Sequence, residues 1–243
     1  MSRYRGPRLR ITRRLGFLPG LTKKEPNDKK LKPPGQHGKE NFDKLRSHPA
    51  FHGLNPANPV NTKQFRSADR KKKKNSRSKV SQYTLGLFEK QKLRFNYGLS
   101  ERQLFNYVKK ARRSSGASGE VLLQLLEMRL DNIVFRLGMA PTIVAARQLV
   151  THGHVLVNDQ RLSFPSYQCQ LNDQINFKSD PVKETSLPRR RRLVKARSGK
   201  ATPKHLSFDS RTSAGLVKGL VNRTSIPLVI NELLVIEFYS RKI

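Results

Sequence analysis

Apolar residues recur at spacings of three and four through Leu122, Leu126, Leu130, Ile133, Val134 and Leu137, the stripe of a helix that faces a core. Arg129, Asn132 and Arg136 recur at the same spacing on another face, which predicts one exposed polar line along that helix. Gly138 is the stop signal. Pro141-Thr142 opens a second helix with Thr142 as N-cap. Ile143, Ala146, Leu149 and Val150 face inward, Arg147 and Gln148 outward, and Gly153 marks the end. His154–Val157 is β-rich, Asn158-Asp159 is a turn, and Gln160–Leu162 returns. Asn-Asp is a weaker hairpin turn than Asn-Gly, because a type I′ turn needs positive φ at both central positions. The span 127–161 therefore predicts two short helices and a hairpin.

Upstream, Leu85, Phe88, Leu93 and Tyr97 show partly regular helical spacing. Ser100 is an N-cap and Gln103 completes a capping box. Leu104, Phe105 and Val108 supply a buried face, and Lys90, Lys92, Arg94, Lys109, Lys110, Arg112 and Arg113 the outer charge. Tyr83 and Tyr97 suit base stacking, although core packing with a polar tip is the commoner fate of a helical tyrosine. Ser114–Gly119 reads as a linker, and Glu120 starts the helix described first. After the hairpin, Pro165-Ser166-Tyr167 and Asn172–Ile175 read as further short strands of the same domain. The stretch IPLVINELLVIEFYSRK at 226–242 is among the most apolar in the chain and must pack against something.

The remaining segments are basic and poor in apolar residues. Ser2–Arg14 alternates basic with apolar or turn residues, and Gly6-Pro7 breaks any helix there, which predicts an arm lying along phosphates. Residues 39–79 carry prolines, asparagines and the run Arg70-Lys71-Lys72-Lys73-Lys74. Residues 1–80 hold 23 Lys and Arg against 5 Asp and Glu, so 39–79 reads as an insertion without a core of its own. Arg189–Arg192 is a four-arginine run on a proline-ended linker, an RNA-contacting or solvated loop rather than a nuclear-localisation signal.

Composition sharpens this. The 243 residues include 50 Lys and Arg against 17 Asp and Glu, a formal charge of +33, with 35% hydrophobic residues and no Trp. Such an excess repels itself unless a polyanion neutralises it; nucleic acid is the first candidate and an anionic membrane surface the second. No apolar run approaches the ~20 residues of a spanning helix, and the start offers no hydrophobic secretory segment. Cys169 stands alone, which excludes an internal disulfide and a thiolate zinc site. His48 and His52 are four apart, but Pro49 lies between them and no third ligand is near, so no metal is expected. There is no phosphate loop, dinucleotide glycine motif or HExxH, and the histidines lack a nucleophile or carboxylate at useful spacing. No cofactor and no enzymatic activity are expected. Aligned guanidinium groups beside a glycine-hairpin corner suit phosphate contact, against the plainer alternative of a helix-hairpin domain with solvated arginines.

The stretch EMRLDNIVFRLGMAPTIVAARQLVTHGHVLVNDQR at 127–161 closely resembles the RNA-binding domain named after small-subunit ribosomal protein S-four. That domain also occurs in some tRNA synthetases and pseudouridine synthases. EKQKLRFNYGLSERQLFNYV at 89–108 resembles the ribosomal family specifically, as does SRYRGPRLRITRR at 2–14. LGFLPGLTKK at 15–24 is similar to plastid members and PGQHG at 34–38 to bacterial ones. The zinc-binding cysteine cluster of some bacterial relatives is missing. The resemblance implies an α+β fold: a discontinuous, mainly helical domain with an inserted helix-hairpin RNA-binding domain and basic extensions. Its parts would be an arm at 1–38, the insertion at 39–79, a helical domain at 80–126, the RNA-binding domain at 127–188, a basic linker at 189–225, and a tail at 226–243 returning to the helical domain.

The same resemblance implies a structural constituent of the small ribosomal subunit. It would bind small-subunit rRNA early, at a multi-helix junction of the 5′ domain, and affect translational accuracy. The alternative is an RNA-modifying enzyme or a stand-alone RNA chaperone using the same domain. Carried over by motif, the RNA-facing residues are Arg3, Tyr4 and Arg5 in the arm and Gln36 and His37 in the loop. Lys90, Lys92 and Arg94 follow in the helical domain, then Arg129, Arg136, Arg147, His152 and His154 in the RNA-binding domain. Asp131 is expected to orient a neighbouring arginine or cap a local backbone group rather than to act as a pseudouridine-synthase aspartate. Implied partners are proteins of the S-three and S-five types and the mRNA entry path, with no membrane and no homo-oligomer. The implied location is the plastid stroma, or a bacterial or cyanobacterial cytoplasm. Deleting 39–79 is expected to leave cooperative thermal unfolding intact; its loss in a calorimetric scan would show that the insertion belongs to the core.

Overall fold

The described residues (4, 6–24, 81–177, 202–209 and 214–241) form seven α-helices and a five-stranded antiparallel sheet in the computed structural model. The expected α+β class holds. Helix α1 (Arg8–Leu15) corrects the expectation of a helix-free arm: Pro7 occupies its N-cap, where a missing N–H and a fixed φ do no harm. Ile11, Leu15, Leu18 and Leu21 are buried. The Gly20 N–H donates to Asn96 Oδ1 at 3.0 Å and the Gly20 carbonyl accepts from the Ile143 N–H at 2.9 Å. The segment after α1 thus ties together two distant parts of the chain.

Helix α2 (Gln82–Asn96) is capped by Ser81, and α3 (Glu101–Arg113) carries the Ser100–Gln103 capping box. The helix expected to run through Leu137 is instead two, α4 (Ser118–Glu127) and α5 (Leu130–Arg136). Arg129 is extended, with φ −71° and ψ 141°. The break is stable because loop 165–169 takes up the backbone groups it frees. The Met128 carbonyl accepts from the Cys169 N–H, while the Leu130 and Asp131 N–H groups donate to the Tyr167 and Pro165 carbonyls. That loop is not the strand expected at 165–167; it makes one isolated bridge, Arg129 to Gln168. The apolar stripe survives the break, since Leu122, Leu126, Leu130, Ile133, Val134 and Leu137 are all buried.

Helix α6 (Ile143–Thr151) begins at Thr142, whose hydroxyl accepts from the Ala145 N–H at 3.2 Å. Leu149 is only half-buried, while Ile143, Ala146 and Val150 are core. Strands β1 (Val155–Val157) and β2 (Gln160–Arg161) form the hairpin, and β3 (Gln174–Phe177) pairs with β1. Two further strands, β4 (Leu206–Asp209) and β5 (Ala214–Val217), complete the order β2-β1-β3-β5-β4. They fall within 189–225, expected as a linker. Leu206 and Val217 bury themselves, and Gly215 lets the Leu137 side chain lie against the strand.

The last described helix, α7 (Glu232–Ser240), packs on α2, α3 and α4. Val235, Phe238 and Tyr239 are buried, and the Tyr239 hydroxyl donates to Glu101 Oε1 at 2.8 Å. The helical unit is therefore assembled from both sides of the hairpin unit in sequence. No described helix is long and apolar enough to cross a membrane.

Asn158 and Asp159 hold φ of 49° and 63°, the left-handed pair a type I′ turn demands. Asp159→Gly removes the steric penalty of that conformation and is expected to raise stability by about 0.5–1 kcal/mol, read as a higher melting temperature.

Candidate nucleic-acid interface

The basic side chains divide into a buried set and an exposed set. Arg129 is 2% exposed. Its Nε and Nη2 donate to the two oxygens of Asp131 at 3.0 and 2.8 Å, and its Nη1 to the Tyr107 hydroxyl on α3 at 2.6 Å. Arg147 reaches the same carboxylate from α6, with Nε and Nη2 at 3.1 and 2.7 Å from Asp131 Oδ2. Its Nη1 and Nη2 also donate to the Gly98 and Tyr97 carbonyls at 2.6 and 3.2 Å. Asp131 thus orients two arginines.

Glu127 is the second centre. Arg136 donates to its two oxygens at 2.6 and 2.9 Å, the Tyr97 hydroxyl at 2.5 Å and Asn132 Nδ2 at 2.5 Å. Burial pushes the Glu127 carboxyl up, but the Arg136 charge and the hydrogen bonds from Arg136, Tyr97 and Asn132 outweigh it, holding the group below the usual carboxylate range. The Tyr97 hydroxyl is pushed well up by burial and by the Glu127 charge. The expected exposed line of Arg129, Asn132 and Arg136 is accordingly a buried network. The change of direction at Arg129 turns these side chains toward α2 and α3.

Lys90 and Lys92 are also covered. Lys92 pairs with Glu89 inside the helical unit. Lys90 pairs with Glu101 at 2.8 Å, its ammonium 4.9 Å from the Phe238 ring centroid. Helix α7 lies over Lys90 through Phe238, which is why that lysine leaves solvent. Tyr97 is core; Tyr83 stays exposed and packs on Phe238 with centroids 5.4 Å apart. Arg94 is half-buried over Phe95, and Tyr4 meets Phe95 edge-on at 5.6 Å.

The exposed set lies elsewhere. His152 and His154 stack with centroids 6.2 Å apart at the corner between α6 and β1; His152 is exposed and His154 half-buried. The Arg161 guanidinium lies directly over Gly153, whose φ is 70°, and its Nη2 donates to the His152 carbonyl at 3.5 Å. No Cβ would fit beneath that guanidinium. Lys109, Lys110, Arg112 and Arg113 are exposed on α3, and Arg8, Arg10 and Arg14 on α1. Sequence reasoning passed over Arg161, Arg8, Arg10 and Arg14 as individual candidates; only their place in basic motifs marked them. Arg3, Arg5, Gln36 and His37 lie outside the described residues, as do His48, His52 and the arginine run 189–192. Among the described residues no group of three or more His, Cys, Asp or Glu could hold a metal ion. Cys169 is buried and its thiol is pushed up by burial.

Such a surface offers guanidinium and ammonium groups to phosphate, imidazole and phenol rings to bases, and no nucleophile–base pairing among the groups described. Comparison with known proteins agrees. The family model described as the S4 domain matches residues 128–175, and that described as the ribosomal protein S4/S9 N-terminal domain matches 56–127. The boundary between them falls at the break separating α4 from α5. The chain is 51% identical over 247 residues to the small ribosomal subunit protein uS4 of Thermosynechococcus vestitus, covering all of both chains. It is 48% identical over 244 residues to uS4c of Oltmannsiellopsis viridis, and 47% over 242 residues to uS4c of Funaria hygrometrica. Those alignments cover 99% and 100% of this chain and all of each relative.

The Glu127 pairing carries a pH signature. A carboxyl whose folded value lies below its unfolded value (~4.3) contributes stability that is present above the unfolded value. That contribution is lost as pH falls through the folded one. Glu127→Gln is expected to flatten this acid limb and to lower stability at neutral pH by about 3–5 kcal/mol, since Arg136 is left buried without a counter-charge. Denaturant unfolding across a pH series reads both.

Proposed function

The chain belongs to the uS4 family of small ribosomal subunit proteins, and from that premise we propose how it meets its RNA. It is a structural constituent of the small subunit, not an enzyme, and its ligand is 16S-type rRNA. The observation that carries the reading is the sorting of its cations. Those within the unit junction are satisfied by carboxylates and carbonyls, whereas Lys109, Lys110, Arg112 and Arg113 on α3, Arg8, Arg10 and Arg14 on α1, and Arg161 beside the histidine corner face solvent. Two faces of positive charge on a rigid frame suit a multi-helix junction in the 5′ domain, where phosphates of different helices converge. Binding is dominated by counterion release, with shape and 2′-hydroxyl contact rather than base identity supplying preference. His152, His154 and Tyr4 are the side chains best placed to add base stacking. Arg3, Arg5, Gln36 and His37 belong to the same proposed contact set on the strength of their motifs.

One face departs from this pattern. The stretches 114–128 and 224–240 contain no Lys or Arg, and the fold brings them together: α4 packs on α7, with the Glu232 side chain lying over Gly119. Exposed Leu233 and Val229 and the carboxylates of Glu120, Glu232 and Glu237 belong to it. Proteins sharing one RNA are themselves cationic, and a face whose flanking cations are paired, Arg223 with Glu232 and Arg241 with Glu237, lets two of them meet with little repulsion. This supports neighbours of the S-three and S-five types, a position near the mRNA entry path and an influence on decoding accuracy. A plastid ribosome is the proposed location, with a cyanobacterial one as the alternative.

The test is binding to a 5′-domain fragment of small-subunit rRNA against an unrelated structured RNA over a salt series. Preference for the ribosomal fragment is expected to persist as salt rises. Equal binding that falls together for both RNAs would reduce the protein to a general polycation.

A further inference from the structure

Arg129, Arg136 and Arg147 sit in the part of the chain that most resembles an RNA-binding motif, yet their side chains are only 3%, 9% and 16% exposed. All three nitrogens of Arg129 and all three of Arg147 are donated within the protein. Each has at least one partner across the boundary between the helical unit (α1–α4 and α7) and the hairpin unit (α5, α6 and the sheet). Arg129 bridges to Tyr107 on α3. Arg147 bridges to the carbonyls of Tyr97 and Gly98, where α2 ends. Through Glu127, Arg136 meets the Tyr97 hydroxyl on α2.

We infer that Arg129, Arg136 and Arg147 are positioning residues for RNA binding, which fix the angle between the two units and do not contact phosphate. The inference rests on the rRNA-binding reading above. Two features carry it beyond burial. The planar guanidinium fork supplies the angular constraint, because Arg147 satisfies one carboxylate and two carbonyls at once, which an ammonium on a flexible stem cannot do. The cations left exposed are shared between the two units, on α1 and α3 of one and on β2 of the other. A loose joint would have to be ordered on binding, and a fixed joint has already met that requirement.

The discriminating variant is Arg147→Lys, which keeps the charge and removes the fork. Affinity for the 5′-domain fragment is expected to fall by roughly tenfold or more with the slope of log affinity against log salt unchanged. Arg161→Met is the contact control and should shallow that slope by roughly 0.7–0.9, the share of one phosphate. Dyes placed at Asn106 on α3 and Gln160 on β2, both exposed, report the angle by energy transfer in the free protein. Their distance distribution should broaden in Arg147→Lys and stay narrow in Arg161→Met. Wild-type affinity in Arg147→Lys, or an unbroadened distribution, overturns the inference. So does a shallower slope in Arg147→Met equal to that of Arg161→Met. If Arg147→Lys does not fold, Tyr97→Phe removes only the hydroxyl that Glu127 accepts. The same broadening and loss of affinity are then expected, and wild-type behaviour in both overturns the inference. A wild type without preference for the ribosomal fragment disposes of the functional reading alone, since the dye distances need no RNA.

Discussion

Two carboxylates withdrawn from water, Glu127 and Asp131, hold this molecule together at its middle. Each is fully buried, and each is the acceptor for groups that arrive from different helices. Removing such charges from solvent is expensive, and their attraction to the arginines roughly restores what desolvation takes away. The net yield is therefore geometric more than energetic. An apolar junction of equal volume is often as stable, but it tolerates sliding. A carboxylate flanked by two guanidinium planes tolerates very little.

That constraint explains the distribution of charge over the rest of the chain. A protein of formal charge +33 has cations to spare, and its most buried ones are the ones matched by acids. Lys90 and Lys92 follow the same rule, each with a glutamate. Lys109, Lys110, Arg112 and Arg113 are left outside on α3, and open to a polyanion. The α4–α7 face has no cation in either of its sequence stretches.

Much of the fold was legible from the residues. The Ser100–Gln103 box, the Thr142 cap, the Gly138 and Gly153 stops and the Asn158-Asp159 turn are local devices, and local chemistry is what a sequence displays. The α4–α5 break was not, because the apolar spacing runs unbroken through Leu126 and Leu130 while the groups that permit the break come from Pro165, Tyr167 and Cys169. Strands β4 and β5 are four residues each and are defined by pairing, β5 with the β3 edge and β4 with β5. Burial of the arginines was hidden for a related reason. Helical spacing placed Arg129, Asn132 and Arg136 on one line, but the line turns inward at Arg129. The Asp131 partnership was legible, since an acid two positions from an arginine in a basic chain has few other uses.

The placement of α7 has a kinetic consequence. The Asn231 N–H that donates to Glu89 does so across 142 residues of chain, and Tyr239 meets Glu101 across 138. Helices α2, α3 and α4 are synthesised long before the segment that covers them. Closing so wide a loop is slow relative to local helix formation, so the nascent chain carries an uncovered α2 face, with Tyr83, Gly86 and Lys90 on it, until α7 arrives. Through that interval Lys90, which ends against the Phe238 ring, is open to water and to any polyanion present.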